Sequence, residues 1–126
     1  MIRWVLEALY HLIRLDWLMS SRAGFGAVRD IVGTAPSSLF NGHTGPDSQR
    51  LCRAIDIACV LYFKNVLCLQ RSSATTLLLR RNGFPAELVI GARTVPFKSH
   101  AWVELNRTVI NDKAYISQLY RELDRC

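Results

Sequence analysis

A cysteine, a histidine and an aspartate, Cys68, His100 and Asp112, stand in an order and spacing that would serve thiol nucleophilic chemistry. A free cysteine with its ordinary pKa of about 8.5 is mostly thiol at neutral pH. An attacking cysteine therefore needs the positive end of a helix and an adjacent imidazole to hold it as thiolate. The imidazole presents one ring nitrogen to sulfur while a carboxylate or amide fixes the other from behind. Cys68 opens a helical stretch. His100 begins the strand-like run Ser99-His100-Ala101-Trp102-Val103-Glu104-Leu105, and Asp112 ends the next one, Thr108-Val109-Ile110-Asn111-Asp112. The backbone N–H of Cys68 is the expected oxyanion donor, because amides at a helix start point at a developing anion. Tyr62 and Asn65, just upstream, are candidates for a second donor.

The elements around these residues must bring them together. Directly opposed residues of an antiparallel pair share a face, so His100 and Asp112 face each other across a hairpin only if the loop holds an odd number of unpaired residues. A three-residue loop, Leu105-Asn106-Arg107, meets that condition. A two-residue Asn106-Arg107 turn puts the two side chains on opposite faces unless a bulge intervenes. Strand alternation sets His100, Trp102 and Glu104 on one face and Ala101, Val103 and Leu105 on the other, so the histidine face has to reach the helix start. Trp102 is a candidate cover for the site and equally well a core or surface tryptophan, and Glu104 is expected in solvent at the strand end.

Asp47 or Ser48 is placed to cap a helix running to about Phe63, with Leu51, Ile55, Ala58 and Tyr62 as its core stripe. Lys64-Asn65-Val66 separates it from the Cys68 helix, which ends at the left-handed cap pair Asn82-Gly83. Arg80 and Arg81 then complement the dipole in its last turn. Pro85 begins the first of three expected strands. At the N-terminus, Arg3, Glu7, His11 and Arg14 recur at helical spacing as a polar, solvated stripe, with Ile2, Val5, Leu6, Leu9, Leu12 and Ile13 covering the rest. Charges through its middle exclude a signal-peptide apolar region or a membrane span, so the helix is expected to pack on its own domain or a partner. Between residues 20 and 45, Gly24, Gly26, Gly33, Gly42 and Gly45 with Pro36 and Pro46 read as connections around one short helix at 27–32, and His43 as a loop residue. These elements make an α+β architecture of N-terminal helices and a nucleophile helix on a small antiparallel sheet. The expected single domain, 1–126, divides into an N-terminal helical and loop region, 1–47, and a core, 48–126.

The chain has 126 residues, half of them hydrophobic, enough for one packed domain and too few for two. Its four cysteines, Cys52, Cys59, Cys68 and Cys126, include no Cys-x-x-Cys pair and no histidine at zinc-finger spacing, so no metal is expected. Cys52 and Cys59 are seven residues apart on one helix, about 10 Å along its axis and too far for a disulfide. They read as buried small hydrophobes, and free thiols without a secretory signal suit a reducing cytoplasm. The net charge of +6 is scattered and comes with no nucleic-acid motif. Attraction of an acidic peptide or partner is its better use, and no nucleic-acid partner is expected.

The stretch Cys68-Leu69-Gln70-Arg71-Ser72, the run from Leu77 through Asn82-Gly83-Phe84-Pro85 to Arg93, then Pro96-Phe97-Lys98-Ser99-His100-Ala101-Trp102-Val103-Glu104, and Asn111-Asp112 resemble the transglutaminase-like cysteine leader peptidases of lasso-peptide biosynthesis. The likeness covers positions from about 50 to 120 in order, spacing and flanking residues. One departure is Asn106-Arg107, where a glycine-containing turn is usual. The resemblance implies a papain-like or transglutaminase-like core, with Cys68 as nucleophile, His100 as base and Asp112 as orienting acid. It further implies a bacterial cytoplasmic thiol protease, without cofactor, that removes the leader from a ribosomally made precursor. A separate leader-recognition protein, docking on the N-terminal helices, and an asparagine-synthetase-like lasso cyclase would be its partners, because a chain of this length has no room for a recognition domain of its own. Two other readings remain open: a transglutaminase or protein deamidase using the same three residues on a glutamine side chain, and a non-catalytic peptide-binding module in which Cys68 is an ordinary helix residue.

Overall fold

The computed structural model describes residues 2–20, 24–34 and 47–126. The expected connections at Pro36, Gly42, Gly45 and Pro46, and the loop position of His43, lie outside the described residues. Four helices, α1 (Ile2–Ser20), α2 (Gly24–Thr34), α3 (Ser48–Leu61) and α4 (Cys68–Arg81), precede the strands β1 (Ala86–Thr94), β2 (Phe97–Leu105) and β3 (Thr108–Val109). A short α5 (Ile116–Leu119) and a fourth strand, β4 (Arg121–Arg125), follow. All pairings are antiparallel, in the order β3-β2-β1-β4. The fold is α+β as expected, with one more strand than the sequence suggested and a longer α2 that contains Gly24, Gly26 and Gly33.

The centre of the molecule is α4. It packs on α1, α2 and α3 and on strands β1 and β2, and every residue from Ser72 to Arg80 is buried. That burial is possible although the run is largely small and polar, because, among the described residues, most of its polar groups find partners, the Ser73 hydroxyl excepted. Gln70 Nε2 donates to Leu12 O at 2.9 Å, and the Thr75 and Thr76 hydroxyls donate to the carbonyls of Arg71 and Ser72, four residues back. Arg80 stands in the last turn of α4 as expected. It is buried there, with Nε donating to Ala86 O at 2.8 Å and Nη1 to Val32 O, so it also ties the end of α4 to β1 and α2. The cap is as read from the sequence: Gly83 has φ +91° and its N–H bonds Arg80 O.

Asp47 caps α3, its Oδ1 accepting the Arg50 N–H at 2.8 Å. Leu51, Ala54, Ile55 and Ala58 face the core, and Tyr62 closes the helix as its C-cap. In α1 the buried face is Val5, Ala8, His11, Leu12 and Leu15, so His11 is in the interior and not on a solvated stripe. The reason is that α1 packs on both α3 and α4. Its buried arc is therefore placed by two neighbours, and the apolar Ile2, Leu6, Tyr10, Ile13 and Trp17 are left exposed. Among the described residues no helix is long and apolar enough to cross a membrane.

The sheet has two dressed faces. Ala86, Leu88, Ala101 and Val103 join the helical core, while Val89 and Trp102 form a second cluster with Ile116 and Tyr120. Gly91 pairs with His100 across β1 and β2, and a Cβ on it would come within 2.7 Å of the Trp102 ring. Glu104 is buried, contrary to the expectation of a solvated strand end. It accepts from Trp102 Nε1 at 2.8 Å and pairs at 3.1 Å with Arg125, a β4 residue that the sequence reading did not bring near it.

Candidate active site

Cys68 is the first residue of α4 and is exposed. The N-cap Leu67 supplies no side-chain hydrogen bond to the first-turn amides, among them the Cys68 N–H. Of the two candidate second donors, Tyr62 is committed elsewhere, its hydroxyl donating to Asp16 at 2.8 Å. Asn65 remains exposed beside the helix start.

His100 and Asp112 are brought together, with imidazole Nε2 2.6 Å from Asp112 Oδ2. Burial works to raise the Asp112 carboxyl. The His100 hydrogen bond, the Lys113 backbone N–H and the charges of His100 and Arg71 outweigh it and hold the group below the ordinary carboxylate value. An ionised carboxylate only accepts, so the proton of this bond sits on Nε2 and Nδ1 is the ring atom left for a reacting partner. The imidazole stacks on Tyr120 at 5.4 Å and on Trp102 at 6.3 Å between centroids.

The way Asp112 reaches the ring differs from the expected three-residue loop. Leu105 pairs with Thr108 and Glu104 with Val109, so the loop is the two-residue Asn106-Arg107 turn, with φ +52° and +65°. Continued in that register, Asp112 would oppose Ala101, on the wrong face. The ladder stops one bond later instead: β3 ends at Val109, the Ile110 N–H still donates to Val103 O at 3.1 Å, and the Asn111 side chain replaces the reciprocal bond, its Oδ1 accepting the Val103 N–H at 2.7 Å. The chain then bends, and Asp112 is free of strand alternation. Asn106 suits the first positive-φ position of such a turn, while Arg107 takes the second, where glycine is the usual residue.

Ser72 connects this arrangement to the nucleophile helix. One turn after Cys68, its hydroxyl donates to Ala101 O and accepts from Asn111 Nδ2, both at 3.0 Å. The neighbours of His100 and of Asp112 are thus bonded to the same side chain of α4. The Cys68 thiol forms no hydrogen bond among the described residues, so the structure joins two of the three expected residues directly and places the third on the helix that anchors them. The sequence reading gave no role to Ser72, Asn111 or Tyr120. The i+4 spacing of Ser72 from Cys68 is a signal that could have found the first; nothing in the spacing points to Tyr120.

Residues 10–124 match the family description of the transglutaminase-like superfamily. The chain belongs to that superfamily. A shorter stretch of this transglutaminase-like chain, 45 residues or 36% of it, is 51% identical to the Microcin J25-processing protein McjB of Escherichia coli. That stretch is 22% of the McjB length, so the likeness spans well under two thirds of the relative. No solved structure matches the chain.

Proposed function

We propose that this transglutaminase-like protein is a cysteine peptidase that cleaves the leader from a ribosomally made lasso-peptide precursor. The observation that carries the reading is the His100–Asp112 pair, whose free Nδ1 belongs to a strand anchored through Ser72 to the helix that Cys68 opens. The similarity to a microcin-processing protein supports the substrate class. In this mechanism the Cys68 thiolate attacks the scissile carbonyl and the first-turn amide of α4 stabilises the oxyanion. His100 protonates the leaving amine as the C–N bond breaks, and then, as base, delivers water to the thioester so that the leader is released and the thiol restored. Asp112 holds the ring orientation and the developing imidazolium. Closing Cys68 onto Nδ1 is assigned to the substrate complex, since catalytic hydrogen bonds are often long in free enzymes and tighten on binding.

A cytoplasmic setting, a separate leader-recognition protein and an asparagine-synthetase-like cyclase complete the reading. The exposed α1 row of Leu6, Tyr10, Ile13 and Trp17 is where it docks the recognition protein. The test is mass spectrometry of a cognate precursor incubated with the protein, with and without that partner. Cys68→Ala should abolish leader removal while partner-dependent association with the precursor persists. Cleavage undiminished in Cys68→Ala would end the peptidase mechanism. Transfer to amines or deamidation of a glutamine without backbone cleavage would favour the transglutaminase or deamidase alternative.

A further inference from the structure

Beside the first turn of α4 opens a cleft of about 520 Å³ that no step of the proposed reaction uses. Val60, Phe63 and Val66 line it together with Asn65, Asp56 and Arg71. Val60 and Phe63 are 84% and 80% exposed, and their neighbours Leu61 and Leu67 also stand in solvent. Single exposed hydrophobics need no explanation, but Val60 and Phe63 at one cleft, within eight residues of an expected nucleophile, form the kind of surface that ligands cover.

The wall is built before anything binds. On either side of Phe63, Tyr62 donates to Asp16 and Lys64 pairs with the same carboxylate, each at 2.8 Å, so α1 fixes the segment that carries the ring. Phe63 also lies against Tyr62 at 4.7 Å between centroids. On the other side, Arg71 bonds Asp56 at 2.5 Å and stands three residues after Cys68. Side chains at that spacing on a helix are about 5–6 Å apart. An extended peptide advances about 3.3 Å per residue, so the cleft is one or two residues from a bond held at Cys68.

Building on the peptidase reading, we propose that this cleft is the subsite for an apolar side chain of the substrate peptide, one or two residues from the bond that Cys68 attacks. The experiment uses two alkylating probes that differ only in that side chain, iodoacetyl-phenylalanine amide and iodoacetyl-glycine amide, with modification of Cys68 in the folded full chain followed by peptide mass spectrometry. The phenylalanine probe should react at Cys68 about tenfold faster than the glycine probe, the gain of burying part of one ring. Val60→Ser and Phe63→Ser should each bring that ratio toward one, while Val95→Ser, equally exposed on the β1–β2 turn, should leave it unchanged. Val60 and Phe63 are so exposed that their variants are expected to fold, which circular dichroism verifies. A ratio near one in the unmodified protein, or one insensitive to both cleft variants, overturns the subsite. Failure of the nucleophile reading shows separately, as a Cys68 that reacts with the glycine probe no faster than the half-buried Cys59, because the ratio compares two probes at one sulfur.

Discussion

Asp112 is the residue whose chemistry is most constrained by its surroundings. Its carboxylate faces Nε2 of His100 at 2.6 Å and accepts the Lys113 backbone N–H at 2.7 Å, so it has two donors that reward the ionised form. Asp112→Asn keeps an oxygen that can hold the ring but removes the charge that stabilises imidazolium. The expected outcome is a loss in kcat of about 10²-fold for leader removal, less complete than for Cys68→Ala, with KM little changed. Single-turnover kinetics on a cognate precursor measure it, and full activity in Asp112→Asn would remove Asp112 from the mechanism. The cysteines differ by environment in the same way. Burial, with Asp56 adding to it, pushes the Cys52 thiol up to about 11, and burial likewise raises Cys59, so neither is suited to attack, whereas Cys68 is exposed at a helix start.

At the scale of elements, the short β3 and the bend after it decide whether the dyad exists. A longer β3 in the observed register would carry Asp112 to the face of Ala101 and away from His100. Asn111 prevents that by ending the ladder with its own side chain and by donating to Ser72 on α4. Asn111→Leu, close in volume, leaves the Val103 N–H without its acceptor and Ser72 without that donor. A loss of about 1–3 kcal/mol in unfolding free energy is expected from the unsatisfied amide, together with reduced cleavage as Asp112 loses its anchor. Urea denaturation checks the first part; an unchanged midpoint would show that the bend is held by something other than Asn111.

Across the whole molecule, a buried histidine links stability to pH. His11 is buried on α1 with Glu7 3.9 Å from its Nε2, and burial first, then the charges of Arg81 and Arg14, lower its pKa from 6.5 to about 4. Because the folded value lies below the unfolded one, the unfolded chain binds the proton first as pH falls. Stability is therefore complete above about pH 6.5 and is lost progressively between there and pH 4. The expected loss is on the order of 3 kcal/mol, and His11→Leu should largely abolish it; parallel pH profiles for the two proteins, read by urea midpoints, would refute the linkage.

Much of this protein was legible in the sequence because local rules governed it. The Asp47 cap, the stop at Asn82-Gly83, the helix opening at Cys68 and the alternation of β2 depend on spacing and backbone preference within a few residues. Cys68, His100 and Asp112 stood out because their types and order are unusual together, and of these the structure brings His100 and Asp112 into contact. Tertiary structure decided the rest. Which side of α1 is buried was set by packing against both α3 and α4, so His11 went inside and Trp17 outside. The polar run of α4 became the centre of the core only because carbonyls of Leu12 and Ala101, distant in sequence, accept its hydrogen bonds. Glu104 was buried by Arg125 arriving on β4, and Asp112 met His100 because a side-chain bond from Asn111 replaced a strand bond. Each of these depends on partners brought from far along the chain, and no periodicity within one segment encodes where such a partner will stand.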